Sequence, residues 1–283
     1  MSDKNNSLVN IDLNSKIVEK AYDDIISEPG KKIGNALGTI INVGNTLLWP
    51  IKWANERTRI YFENNLKKYN EKLSKIDDDK IMEVPTEISM PILERFTYVS
   101  NKEISEAFVK LLTSSSNIET IKFVHPSFIQ IIDRLSPDEA KIIKLFSEKN
   151  AIPHISFSKY DIKEVEKERN GVKTIEKKIN YSKYQSLVNK KDRIVEYIEL
   201  TFKENTRIYM NNLISLGLIN DITSHTYVSL EDEIELMKKE LIENYEVIFN
   251  DIPEELKSKS QKFEKGMYEL TEFGKLFIKS SIE

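Results

Sequence analysis

The stretch 122–146, KFVHPSFIQIIDRLSPDEAKIIKLF, sets one helix end and one helix start within a few residues, and so divides whatever the chain folds into. Phe128, Ile131, Ile132 and Leu135 recur at helical spacing, which predicts a helix over 126–135. Ser136-Pro137-Asp138-Glu139 then opens another. Ser136 can accept from the N–H three residues on, and Glu139 can reach back to the Ser136 N–H. Pro137 takes the first helical position, where its missing N–H costs nothing, and Asp138 faces the positive end of the helix dipole. One helical set ends here and a second begins.

Only 8 Gly and 8 Pro among 283 residues favour long helices over a turn-rich β fold. A chain that is 40% hydrophobic and 31% charged has the make-up of a soluble globular protein. Its net charge of −4 gives no global drive toward nucleic acid or anionic lipid. Without Cys there is no disulfide, thiol nucleophile or thiolate metal site, which suits a reducing cytoplasm. Residues 1–14 are polar and Asn-rich and are expected to form a flexible tail, with no secretory leader.

Residues 15–120 read as an N-terminal helical region. Within it, 33–51 (IGNALGTIINVGNTLLWPI) carries no charge, and Gly30, Gly34 and Gly38 fall in one line at a spacing of four, where another backbone can approach closely. Asn35, Thr39, Asn42 and Thr46 form a second, polar line. The apolar helix over 33–54 is read either as the buried centre of a soluble bundle or as a segment that meets a membrane, with Trp49 and Trp53 at its interface. Phe62, Leu66, Tyr69, Leu73 and Ile76 then mark a long amphipathic helix with a narrow seam. Two shorter helices follow within 82–116, the second opened by a Ser100/Glu103 capping box. Residues 121–135 connect to the rear half.

From 136 to 283 the signals suggest a winged helix. The segment 152–157 is β-like, 192–202 and 205–216 are helical, and Gly217 stands where a left-handed cap is needed. Segments 226–230 and 266–270 are the candidate wing strands, and Thr271 caps a last helix. Two charged insertions interrupt this plan. Residues 159–193 hold 11 basic and 6 acidic residues with tyrosines interleaved; 231–257 hold 10 acidic and 3 basic and look helical. Opposite signs would let them face one another, within one chain or across a dimer.

Catalytic chemistry is not visible. His125, His154 and His225 each lack a second His at helical metal spacing, no phosphate-binding Gly loop follows a strand, and no Ser sits in a nucleophile elbow. His125, before Pro126, is expected to cap or pack. No cofactor or metal is expected, and the chain is read as non-enzymatic. Nucleic acid is the alternative partner, through the basic tract at Lys177, Lys178, Lys190 and Lys191 and through Arg207 on the third helix of the winged domain.

Four pieces together resemble the Abi-alpha (abortive infection alpha) family of bacterial proteins: AYDDIISEPGKKIGNALGTIINVGNTLLWP from Ala21, HPSFIQIIDRLSPDEAKII from His125, NLISLGLI from Asn212 and YELTEFGKLFIKS from Tyr268. The resemblance implies phage defence in which an infected cell stops growing or dies before phage is released. It supplies no catalytic motif. The combined expectation is a mainly α protein, an N-terminal helical region followed by a winged-helix-like domain with a small β element. It would be cytoplasmic and would join the membrane on activation through Gly30, Gly34, Gly38, Asn42, Trp49 and Trp53. Its partners would be a second copy, a membrane surface, or a protein of phage or host. A nucleic-acid-binding regulator and a soluble adaptor or sensor are the alternatives.

Overall fold

The computed structural model describes residues 56–283 and divides them into two compact units, 56–144 with 272–283 and 145–271. The predicted apolar helix over 33–54 lies outside the described residues.

The first unit is helical. Its seam helix is α1 (Glu56–Leu73), which buries Phe62, Leu66, Tyr69 and Leu73 as their spacing requires. Beside it stand α2 (Thr86–Phe96) and α3 (Lys102–Ser115). The cap of α3 is Asn101, whose side-chain oxygen accepts from the Ile104 N–H at 3.1 Å; Ser100 does not fill that role. Burying the serine-rich end of α3 works because Thr113, Ser115 and Ser116 donate to carbonyls four residues back. The Ser116 hydroxyl also meets Tyr69 Oη at 2.6 Å. The short α4 (Ser127–Asp133) is tied to α2 by Arg95, whose Nη2 lies 2.8 Å from Asp133 Oδ2. Helix α10 (Glu272–Ser281) closes the unit, its Phe273 and Phe277 packing on Phe128. His125 packs on Phe128 and Phe273, and its Nδ1 accepts from the Ser127 N–H, a capping and packing role.

The capping box at Ser136 forms as read. The Ser136 N–H donates to Glu139 Oε2 at 2.6 Å and the Glu139 N–H to Ser136 Oγ at 3.2 Å, starting α5 (Pro137–Glu148), which carries the chain into the second unit.

The second unit corrects the expected fold class. In place of a mainly α, winged-helix-like domain it holds a four-stranded antiparallel sheet in the order β2-β1-β4-β3, and the fold is mixed α and β. Strands β1 (Ala151–Arg169) and β2 (Val172–Lys191) form one long hairpin, and the tract read as a charged insertion is most of it. Asn170-Gly171 is the turn, with φ of +52° and +77°, the combination that two-residue hairpins need. After β2 come α6 (Ile194–Tyr197), shorter than expected, and α7 (Thr206–Ser215). Gly217 has φ +71°, as its position demanded. Strand β3 (Ile219–Thr223) follows at once, and the expected wing strand at 226–230 is irregular chain ending in a 3-10 turn. The acidic tract is helical, as α8 (Glu231–Asn244) and α9 (Glu254–Ser260), and leads into β4 (Gln261–Leu270).

A core of Ile155, Phe157, Ile234, Met237, Leu241, Phe249 and Ile252 holds α8 to the sheet, with Phe157 and Phe263 stacked at 4.5 Å. The two charged tracts meet within the chain, where Glu240 of α8 accepts from Lys191 and Arg193. Beyond Lys159, β1 has no β4 neighbour. From Lys163↔Lys178 to Arg169↔Val172 the hairpin is a free two-stranded arm, exposed on both faces except at half-buried Val165 and Lys178.

Candidate functional site

The second unit draws residues of all four strands into one row. His154 on β1 stands opposite Gly266 of β4, and Gly266 is opposite Thr223 of β3. A Cβ at 266 would lie 2.4 Å from the Ile222 carbonyl oxygen and 2.5 Å from His154 Cε1. Because none is there, the imidazole lies across β4, and Nε2 reaches Asp221 Oδ1 on β3 at 2.9 Å. Tyr268 packs on the ring, with centroids 4.6 Å apart. Lys190 of β2 donates to Asp221 Oδ2. That reach depends on a bulge. The β1–β2 register slips between Ile155↔Lys191 and Phe157↔Val188, and Lys190 adopts φ +52° there, which re-aims its side chain. The Lys190 N–H is satisfied by Ser156 Oγ at 3.1 Å.

His154 is 2% exposed. Burial pushes its pKa below the ordinary value against the pull of Asp221, so the ring is neutral and Nε2–H donates to the carboxylate. Nδ1 is left as a buried acceptor without a hydrogen-bond partner. Burial alone would raise Asp221, but the bonds from Lys190 and His154 outweigh it and hold this carboxyl below its usual range. Burial drives the Tyr268 phenol far upward, with Asp192 and Asp221 adding to the effect and Arg207 opposing it. A histidine that moves a proton needs a ring nitrogen within reach of substrate. Here Nε2 is committed and Nδ1 is shut in, so this arrangement suits holding strands together better than acid–base work. Among the described residues no three of His, Asp or Glu converge to hold a metal.

The row should make the unit acid-labile. A group whose folded pKa is depressed adds stability that is complete above its unfolded pKa and is lost as pH falls through the folded one. Both His154 and Asp221 are depressed, so both contributions fade on acidification: that of His154 from about 6.5 downward, that of Asp221 only near and below about 3.8. In urea titrations, the stability gap between wild type and His154→Gln should therefore narrow between pH 7 and pH 5. A constant gap would show that the imidazole does not titrate with unfolding.

The residues singled out from the sequence do not gather here. Gly30, Gly34, Gly38, Asn42, Trp49 and Trp53 lie outside the described residues. Lys177 and Lys178 sit on the arm, and Lys178 pairs with Glu176 at 3.5 Å. Lys190 and Lys191 lie twelve and more residues further along β2, about 40 Å of extended strand, and serve Asp221 and Glu240. Arg207 is exposed at the start of α7. These five cations do not form one surface. The sequence reading missed Asp221, Gly266 and Tyr268; only the pairing of β3 with β4 brings them beside His154.

A family model described as Abortive infection alpha matches residues 61–281. The chain belongs to the abortive infection alpha family. The match spans both units, including the His154 row and the β1–β2 arm, while the uncharged run at 33–51 precedes it. No curated protein and no solved structure matches the chain. No helix among the described residues is long and apolar enough to cross a membrane. Membership associates the protein with abortive-infection-type defence.

Proposed function

We propose that this abortive infection alpha protein acts in antiphage defence by binding and not by hydrolysis, and that the arm at 163–178 is its recognition element. The observation that carries this reading is the arm itself. Seven residue pairs of ordered antiparallel ladder extend past the last β4 contact with solvent on both faces, and Val172 and Ile175 at its tip are 62% and 67% exposed. A bare hairpin is marginally stable at best, so internal packing does not account for it. Its outer edge, on β2, offers unpaired backbone groups to which an extended segment of a phage or host protein can add as a further strand. The sealed His154 supports the non-enzymatic half of the reading. The test is phage challenge at low and high multiplicity with viability counted, comparing cells that carry the wild type, an arm-shortened chain or neither. Protection that costs the infected cell its life, and that the arm-shortened chain fails to give, is the expected pattern.

A further inference from the structure

In the helical unit a cleft of about 350 Å³ opens beside α1 and the α2–α3 connection. Its floor is a closed network of buried groups. Asn65 Nδ2 donates to the Phe96 and Val99 carbonyls at 3.2 and 3.3 Å, and Ser105 Oγ donates to Asn65 Oδ1 at 2.5 Å. Lys68 Nζ donates to Ser105 Oγ at 3.0 Å. This is not a nucleophile and its base: the serine proton is spent on Asn65, and the lysine that would have to receive it is itself donating. Charge is what the cleft leaves over. Lys67 and Lys68 both line it and neither has a carboxylate partner among the described residues; Glu71 is the one acid among the lining residues. One turn further along α1, Lys72 is close enough to Lys110 of α3 to matter. Burial and this second ammonium hold Lys110 below its ordinary value, with Glu283 pulling the other way.

We propose that this α1–α3 groove binds a small organic phosphate, with the phosphate on Lys67 and Lys68 and a flat ring against Tyr61. The volume falls at the lower end of small-molecule sites. Two ammonium groups against one wall carboxylate favour an anion, and a hydrogen-bonded floor holds Lys68 in place before any ligand arrives. The proposal stands independently of the arm.

Isothermal titration of the full chain with adenosine diphosphate, adenosine and citrate tests it. Adenosine diphosphate should bind, and adenosine and citrate should not. Lys67→Met with Lys68→Met should weaken binding by about tenfold or more, the worth of one charge-assisted bond. Lys68→Arg should bind again, which separates loss of charge from loss of fold. Lys75→Met, beyond the end of α1, should leave binding unchanged. Absence of binding by adenosine diphosphate, equal binding by adenosine or citrate, or wild-type affinity in the double variant would each overturn the assignment.

Discussion

Removing 164–169 and 172–177, so that Lys163 runs directly into Asn170-Gly171-Lys178, should abolish phage protection while changing unfolding stability by no more than about 1 kcal/mol. Six residues leave each strand, so the alternation of faces is kept and Lys163↔Lys178 becomes the pair that closes the same turn. The cost is small because the excised rungs touch no core; the cluster around Phe157 takes in Ile155, Phe157, Ile162, Leu187 and Val188 of the hairpin and none of the excised residues. The ion pairs that go, such as Lys173–Glu166 at 3.9 Å, are solvent-exposed and contribute little. Circular dichroism and urea titration check the fold, and plaque counts check protection. A shortened chain that folds and still protects would remove the arm from the mechanism.

Gly266→Ala should cost about 3 kcal/mol, the upper end of what overpacking a filled site takes. One of the atoms met is the Ile222 carbonyl oxygen at 2.4 Å, which belongs to the backbone of β3 and cannot rotate away. The other is the His154 ring, which would be driven off Asp221. These two parts can be separated. Adding His154→Ala relieves the clash with the ring but not the one with the carbonyl, so the double variant should be more stable than the sum of the single ones by about 1 kcal/mol, the coupling typical of touching side chains. Strict additivity in urea titrations would mean that ring and glycine do not share the space described.

What could be read from the sequence follows the physics of each signal. The Ser136–Glu139 box and the Phe62–Leu73 seam were legible because caps and helical periodicity act within a few residues. Gly217 was legible because a positive φ nearly demands glycine. The hairpin was missed because period-2 alternation of apolar and polar residues appears only where one face is buried, and the arm has no buried face. Charges occupy both sides and imitate a solvated insertion; the one local clue was Asn170-Gly171. The expected wing at 226–230 failed for the opposite reason: a β-like composition found no strand to pair with, since Ile219–Thr223 already holds the β4 edge. The row at His154 was illegible because its members are far apart in sequence and are joined only by strand order. His154 and Asp221 are 67 residues apart.

Strand β2 is an outer strand of the sheet, and its twenty residues include six lysines against one glutamate. Such an edge repels its own image, so ribbons on two molecules are kept from zipping together while the solution is dilute in electrolyte. At about 1 M salt, where the screening distance shrinks to roughly 3 Å, that protection is gone. Preparations should therefore stay clear in low-salt buffer and turn cloudy when concentrated in brine.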